Sequence, residues 1–520
     1  MYKNALIFLL GLLLPIGILY PKDLFEEISG RLQKTVKKVS LQNGLTLIMM
    51  KRTASPTLAL YIKFKAGSVD ETPEMAGTAH LLEHMMFKGT KNIGTLDYEK
   101  EERYLQLIQQ YGQKLDILRL KAREYTQIGE EVPDEIEKEI QNHEKSLKVY
   151  QMIQNKYIIK SEDNLIYTQN GQVHFNAYTT HDVTNYQIEL PANRLELWAR
   201  IESDRLRNPI LREYYTERDV IMEERRMRVE NQGFGVLREK YLSVAFDRHP
   251  YRMPVIGYPS NIPFLDIAET ENFFKEHYSP DNMVISIVGD LNFEETERIV
   301  RKYFSSLQPS GKTTQMRIKE IESMGEKRFT VKFPSSPIML MGWHKPAFPH
   351  PDNNAFDILN MILTGGTDSR LFKRIILNDK SALSVNAWNG DPGERYSNLF
   401  TIMIRPNTDT DTETLEKSIW EEIEKIQKGE VSDEEIEKVK NKLIADFFRG
   451  IDNNGTLADV LSYYEIITGD WANLFKSYSI LNKVKKEDLQ RVSRKYLTRD
   501  NVTVGKLIDS RKDKEEKEKK

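Results

Sequence analysis

The 520-residue chain contains no cysteine. Disulfide bonds, thiolate nucleophiles and Cys-ligated zinc are therefore excluded, and a metal site would have to use His and carboxylate side chains. The chain also lacks an excess of charge of one sign, since 75 Lys and Arg face 78 Asp and Glu, for a net charge of −3. This near balance argues against a nucleic-acid-binding protein, which usually carries a basic surface.

Long apolar runs are scarce, and the exception is an uncharged run from Ala5 to Tyr20. Its length is typical of a signal-peptide core and is short for a membrane span, which needs ~20 apolar residues. Lys3 precedes the run and acidic residues follow it, a charge bias that favours export of the rest of the chain. Residues 1–28 are thus predicted to be an export signal or a membrane anchor, with a buried N-terminal helix as the alternative. The expected location is periplasmic, or on the outer face of the inner membrane.

The length favours two or three domains. Strand-like and helix-like segments mix without βαβ regularity, which favours the α+β class. We expect two related α+β domains at 35–307 and 319–508, each with an antiparallel or mixed sheet flanked by helices. A linker is predicted at 308–318, and the charged tail at 509–520 has nothing to bury.

A helical segment of about 98–160 interrupts the first of these domains. Apolar side chains recur there at alternating spacings of four and three, with charged residues over much of the remaining surface. They are Tyr104, Ile108, Tyr111, Leu115, Leu118, Ala122 and Tyr125. Pro133 breaks the pattern, which then resumes, so the segment predicts an antiparallel helical hairpin. It could serve as a solvated spacer or as a docking arm.

Two of the nine histidines stand four residues apart in "HLLEHMMFKGT", with a glutamate between them. On a helix, His80 and His84 project from one face and can both bind one metal ion. Glu83 lies beside that face, where it can take a proton from a metal-bound water. The alternative is a helix with two incidental histidines, but burying these polar groups unpaired would be costly.

A catalytic zinc needs a third protein ligand, and "TERDVIMEERRMRVEN" offers four candidate glutamates on a predicted helix. These are Glu217, Glu223, Glu224 and Glu230. Glu217 and Glu224 are two helical turns apart and share a face. A helix rich in Glu and Arg is, however, more often a solvated surface.

The order H-x-x-E-H is the inverzincin motif. It occurs here in "AGTAHLLEHMMFKGT", and "FNAYTTHDVTNYQIELP", "ERDVIMEE", "HPYRMPVIGYPSNI" and "YSPDNMVISIVGDLN" follow it in order. Together these segments resemble the pitrilysin/insulinase family of zinc metallopeptidases, and most closely its processing-peptidase-like bacterial members. The resemblance runs from about Val39 to Leu507, interrupted by the helical hairpin.

The resemblance implies one Zn²⁺ per chain, with His80, His84 and Glu224 as its ligands. It also implies that Glu83 is the general base and that Glu217 is an acidic residue supporting a ligand. The interval between His84 and Glu224 is longer than the family usually shows, and the hairpin lies inside it.

The resemblance further implies that Asn176 and Ala177 hold the substrate backbone by strand addition. His174 and His181, which flank that segment, are expected to be structural. The domains would enclose a chamber that favours peptides and unfolded segments over folded proteins.

One departure from the family concerns the second domain. Relatives that act alone carry there an Arg and, seven residues later, a Tyr, both touching substrate. These positions fall on Ile376 and Leu383, while Arg370 and Arg374 are out of register. A related non-catalytic subunit is therefore expected to supply the Arg/Tyr pair in a heterodimer, with a homodimer as the alternative.

The sequence thus predicts an exported zinc endopeptidase, the catalytic subunit of a heterodimer, acting on peptides or unfolded polypeptide. A rival function is a non-catalytic assembly subunit of the same fold. Within enzymes, a maturation protease for one dedicated peptide is the alternative to a general peptide scavenger.

Overall fold

The computed structural model describes residues 21–311, 316–408 and 410–511. Most of the predicted export or anchor segment, part of the predicted linker and most of the charged tail lie outside these ranges. No helix within the described ranges is long and apolar enough to cross a membrane.

Six strands of the first half form one sheet. They are β1 (Val36–Ser40), β2 (Thr46–Lys51), β3 (Thr57–Phe64), β4 (Val173–Thr179), β5 (Thr184–Pro191) and β6 (Met283–Gly289). Their order is β1-β2-β6-β3-β5-β4, with β2 and β6 parallel and the other neighbours antiparallel. Strand β4 therefore lies at an open edge.

The α-helices of the first half precede, separate and follow these strands in the sequence. They are α1 (Pro21–Lys34), α2 (Thr78–Met85), α3 (Tyr98–Gln127), α4 (Asp134–Gln154), α5 (Glu162–Gln169), α6 (Leu195–Arg207), α7 (Tyr214–Arg225), α8 (Gly233–Ala245), α9 (Ile267–His277) and α10 (Phe293–Phe304). Local chemistry sets several starts: Asp97, Asp266 and Asn292 accept backbone N–H groups at the first turns of α3, α9 and α10.

The second half has a five-stranded sheet. Its strands are β7 (Lys327–Phe333), β8 (Ile338–Lys345), β9 (Ala382–Asp391), β10 (Asn398–Pro406) and β11 (Val502–Asp509). Its helices are α11 (Asn353–Thr364), α12 (Thr412–Gln427), α13 (Asp433–Gly450), α14 (Asn454–Thr468), α15 (Asn473–Leu481) and α16 (Lys486–Tyr496). The sheet order is β7-β11-β8-β10-β9, with β7 and β11 parallel.

The two sheets share one topology. The order β2-β6-β3-β5-β4 in the first half corresponds strand for strand to β7-β11-β8-β10-β9 in the second. Both place the single parallel pair at the same end and the remaining antiparallel neighbours in the same sequence. The predicted α+β class with two related halves is confirmed.

The central strands of each sheet are covered on both faces, because each half contributes a helix to the other. One face of the first sheet packs on α6 and α10, and its opposite face packs on α14 of the second half through Leu457 and Leu461. One face of the second sheet packs on α11, α12 and α16, and its opposite face on α8 of the first half through Leu237 and Tyr241.

The predicted hairpin consists of α3 and α4, which run antiparallel. Tyr104 stacks on Tyr157, and Arg119 binds Glu144 at 2.7 Å. Ile108 and Leu115 of the predicted seam are buried, but they belong to a cluster that also contains side chains of α2 and α7. The hairpin therefore packs against the body of the first half along one side.

Helix α1 belongs to the folded body. Phe25 is fully buried, and its ring lies 5.7 Å from those of Phe447 and Phe448 and 5.6 Å from that of Tyr478. Phe25 packs against aromatic side chains of the second half, so the predicted boundary at residue 28 falls inside a packed helix.

Candidate active site

Helix α2 presents the two histidines of the H-x-x-E-H motif. Leu81, Leu82 and Met85 are buried and anchor the short helix, so its polar face is fixed toward α7. The His80 and His84 rings lie with their centroids 4.7 Å apart. This is the geometry expected for side chains four residues apart on a helix.

Helix α7 brings Glu224 to the same point. Its Oε2 lies 3.5 Å from His84 Nε2 and 3.8 Å from His80 Nε2. One ligand atom from each of the three residues lies within 4.8 Å of the others. Tetrahedral zinc bonds of ~2.0–2.1 Å place ligand atoms about 3.4 Å apart, so this donor set fits a zinc ion.

His84 is oriented from its other side. Its Nδ1 lies 2.9 Å from Glu217 Oε1, and Lys88 Nζ binds the second oxygen of that carboxylate at 2.6 Å. Burial alone would raise the pKa of Glu217, but hydrogen bonds from His84 and Lys88 lower it to about 2. Glu217 is therefore ionised and fixes the ring with Nε2 facing Glu224.

His80 is held neutral by its surroundings. Burial and the neighbouring His84 lower the pKa of His80 to about 3. Its Nδ1 is buried and has no hydrogen-bond partner among the described residues. A neutral imidazole is the form that binds a metal ion.

Glu83 lies on the same helix and lines the cleft beside the donor set. Its Oε2 accepts a hydrogen bond of 2.5 Å from Thr179 Oγ1 at the end of β4. Burial raises the pKa of Glu83, although Thr179 and His84 oppose the shift. The carboxylate therefore has a higher proton affinity than an exposed glutamate.

The other two candidate glutamates lie apart from this group. The Glu223 side chain is 62% exposed and binds Arg226, whereas Glu230 binds Arg225 at 3.2 Å. Two adjacent residues of α7 thus point in different directions, Glu224 toward the histidines and Glu223 toward solvent.

A cleft of about 550 Å³ opens beside these groups. Its lining includes Glu83, His84, Glu217 and Asn176. Asn176 is exposed on the edge strand β4, while the neighbouring Ala177 is buried and pairs with Tyr186 of β5. An edge strand leaves backbone N–H and C=O groups open to pairing with another chain.

The two positions that correspond to the Arg and Tyr of single-chain relatives carry apolar side chains. Ile376 lies in a π-helical turn and Leu383 on edge strand β9, where Leu383 is 63% exposed. Arg370 binds Glu435, and Arg374 binds two glutamates of α12. Both arginines are thus engaged within their own half.

Four residues that contact the site were not singled out from sequence. Lys88 and Thr179 bind Glu217 and Glu83 as described, Arg228 binds Glu224 Oε1 at 2.7 Å, and Arg212 binds the loop after α2. Thr179 stands three residues after Asn176 in a segment that the motif pattern already marked. Arg228 stands four residues after Glu224, a spacing at which helical side chains meet, whereas the contacts of Arg212 join segments far apart in sequence.

Comparison with known families finds two matching models. Residues 47–116 match "Insulinase (Peptidase family M16)", and residues 265–443 match "Peptidase M16 inactive domain". The first match includes the H-x-x-E-H motif, and Glu224 lies between the two.

Relatives of this chain are named as zinc proteases and as a processing-peptidase subunit. Zinc protease PqqE of Helicobacter pylori is 25% identical over 467 residues, which cover 88% of this chain and 90% of the relative. A probable mitochondrial-processing peptidase subunit beta of Arabidopsis thaliana is 22% identical, covering 90% of this chain and 77% of the relative.

Solved structures share the fold. A protease from Helicobacter pylori superposes with a TM-score of 0.74 at 24% identity, covering 91% of this chain and 99% of the other. The periplasmic protease PqqL from Escherichia coli gives a TM-score of 0.67 at 15% identity, covering 92% of this chain and 48% of that longer chain.

Proposed function

The chain belongs to the pitrilysin/insulinase (M16) family, and on that premise we propose that it is a zinc-dependent endopeptidase for peptides and unfolded polypeptide segments. The observation that supports this most is the convergence of His80, His84 and Glu224 beside Glu83. A scaffold subunit has no physical need for two imidazoles and a carboxylate turned toward one point beside a second carboxylate.

Nε2 of His80, Nε2 of His84 and Oε2 of Glu224 would hold one zinc ion. When bound there, zinc would supply polarisation of the scissile carbonyl and acidification of the attacking water. Glu217 and Lys88 act through His84, because their hydrogen bonds fix the ring in the orientation that ligation needs.

Glu83 would be the general base. Thr179 occupies its Oε2, which leaves Oε1 to accept a proton from the attacking water. Burial raises the pKa of Glu83 toward neutral pH, so the same group can then give the proton to the leaving amine. Proton uptake and release at one side chain keeps the reaction balanced over a full cycle.

The substrate would add to β4 as a further strand. Its backbone would pair with the open edge near Asn176 and Ala177, which places a peptide bond next to the cleft. Strand addition requires an extended segment, so folded proteins would be poor substrates.

A related subunit would complete the enzyme. Ile376 and Leu383 cannot form the polar contacts that an Arg and a Tyr would make. A relative of this chain is named as the beta subunit of a processing peptidase.

The apolar run of 5–20 supports export of the chain, and one protein of the same fold is described as periplasmic.

The test is hydrolysis of an unstructured quenched peptide by the full chain, together with any related chain that co-purifies with it, beside Glu83→Gln and a control, Glu223→Gln. We expect about one zinc per chain in all three proteins and loss of hydrolysis in Glu83→Gln alone. Full hydrolysis by Glu83→Gln would contradict the role of Glu83, and absence of zinc would contradict the metal site.

A zinc-loaded but inactive wild-type chain distinguishes the remaining cases. Activity that appears when a co-purified related chain is present supports the heterodimer. Full activity in a preparation that holds only copies of this chain would refute it. Inactivity in the presence of such a partner would favour the assembly subunit.

A further inference from the structure

Both helices of the hairpin converge on one buried arginine. Arg212 is 1% exposed, and its Nε donates to Glu101 Oε1 and Oε2 at 2.8 and 3.1 Å. Glu101, on α3, is fully buried and also accepts from Gln154 Nε2 of α4 at 3.0 Å. A charge pair with this degree of burial is costly unless its geometry is fully satisfied.

The same arginine binds the chain that leaves the metal-site helix α2. Its Nη1 donates to the carbonyl of Lys88 at 3.0 Å, and its Nη2 donates to that of Thr90 at 2.7 Å. Arg212 itself stands two residues before α7. One guanidinium group therefore joins the hairpin, the exit of α2 and the entrance of α7.

A second ion pair joins the hairpin to α7 directly. Arg218 Nη1 and Nη2 bind Asp116 Oδ2 and Oδ1 at 2.7 and 3.0 Å, a two-point contact that fixes orientation. Arg218 is the neighbour of Glu217. Close by, Gly112 packs on Tyr215 so tightly that an added Cβ would lie 2.0 Å from the ring.

Apolar packing continues the contact to both helices of the site. Ile108, Leu115 and Leu147 of the hairpin share one cluster with Leu81 of α2 and Ile221 of α7. A solvated spacer would need none of these buried contacts. A docking arm that projects freely would not form ion pairs with Arg212 and Arg218 beside the site.

We propose that the hairpin is a brace that fixes the rotation of α7 and its distance from α2. In this role Glu101, Asp116, Arg212 and Arg218 are positioning residues, which set where α7 presents its glutamates to the histidines. The inference rests on the proposed function. Errors of about 1 Å in such a site are enough to impair it.

The test compares Asp116→Asn with Glu144→Gln. The first removes the charge from the pair with α7, whereas the second removes the charge from the Arg119–Glu144 pair, which joins α3 to α4 within the hairpin. Zinc affinity is measured by competition with a chelator, and the visible spectrum of the Co²⁺-loaded protein reports ligand geometry. Tm of the metal-free protein monitors folding.

We expect Asp116→Asn to weaken zinc binding about tenfold and to change the Co²⁺ spectrum, since loss of outer contacts around a metal site costs about 10–100-fold. Glu144→Gln should match the wild type in both. Equal zinc affinity and spectra in all three proteins would overturn the inference.

Arg218→Lys keeps the charge and loses the two-point contact, so it tests the same idea if Asp116→Asn does not fold. It should weaken zinc binding with little change in the metal-free Tm, and unchanged binding would overturn the inference. A wild-type chain that binds no zinc would instead refute the proposed function itself.

Discussion

Lys63 supplies a test of how the two halves are joined. The side chain is fully buried on β3, and its Nζ donates to Asp459 Oδ1 at 2.7 Å and to Tyr178 Oη at 2.6 Å. Asp459 lies on α14, the helix that the second half lends to the first sheet. Asp459→Asn would leave the lysine charge in the interior without a counter-ion.

The expected cost follows from this burial. Removing one partner of a fully buried pair destabilises a protein by roughly 3–5 kcal/mol. The Asp459 side chain is 36% exposed, so solvent screens part of the interaction and we expect a loss of about 2 kcal/mol at pH 7.

The loss should depend on pH with a defined sign. Burial lowers the pKa of Lys63, and Asp459 opposes that shift, so the asparagine variant has the lower pKa of the two proteins. The unfolded chain keeps the ordinary lysine pKa of about 10.4 and binds more protons than the folded variant in this range. The variant therefore gains more stability than wild type as pH rises, and the deficit relative to wild type is larger at pH 7 than at pH 9.5.

The assay is urea unfolding of the full chain, followed by tryptophan fluorescence at pH 7 and pH 9.5. Asp446→Asn is the control, because Asp446 forms an exposed pair with Arg449 on α13, and its effect should stay within about 0.5 kcal/mol. An Asp459→Asn variant as stable as wild type at pH 7, or a deficit that grows with pH, would refute this reasoning.

Two further predictions concern the metal site and the N-terminal helix. Glu217→Gln should weaken zinc binding by about 10–100-fold in a chelator competition, because His84 loses the carboxylate that orients it. Affinity equal to that of Glu223→Gln would count against this. Phe25→Ala should lower the free energy of unfolding by about 3 kcal/mol in urea, since the ring is fully buried. No change would mean that α1 contributes nothing to the folded body.

Local periodicity was sufficient to predict most of the donor set. A spacing of four places His80 and His84 on one face, and a spacing of seven places Glu217 and Glu224 on another. The structure brings these faces together, with Glu224 toward the histidines and the adjacent Glu223 toward solvent. The choice between these two neighbours needed the family resemblance, since either could be a ligand by composition.

Contacts between segments far apart in sequence could not be predicted. Lys88 and Thr179 are ordinary surface-type residues until folding places them beside Glu217 and Glu83. The hairpin shows the same division. Its internal seam follows from heptad spacing, whereas Asp116 and Gly112 gave no sign of a second contact face.

The sequence pattern also does not predict that each half contributes a helix to the core of the other. The apolar stripe of an amphipathic helix such as α8 indicates that the helix packs against an apolar surface, but it does not identify which of the two sheets provides that surface. The pairing of α8 with the second sheet and of α14 with the first is decided only by the path of the chain.

Because each half contributes a helix to the other, the point in the sequence where the first half ends does not separate two independently stable units. A cut in the irregular segment at 316–326 would sever the chain and leave α8 and α14 still inserted in the opposite cores. The two fragments would stay together as one particle. Neither half, made alone, would have a complete interior, because each would expose the sheet face that the other's helix covers. The protein is thus a single cooperative unit, although its two halves follow one another in the sequence.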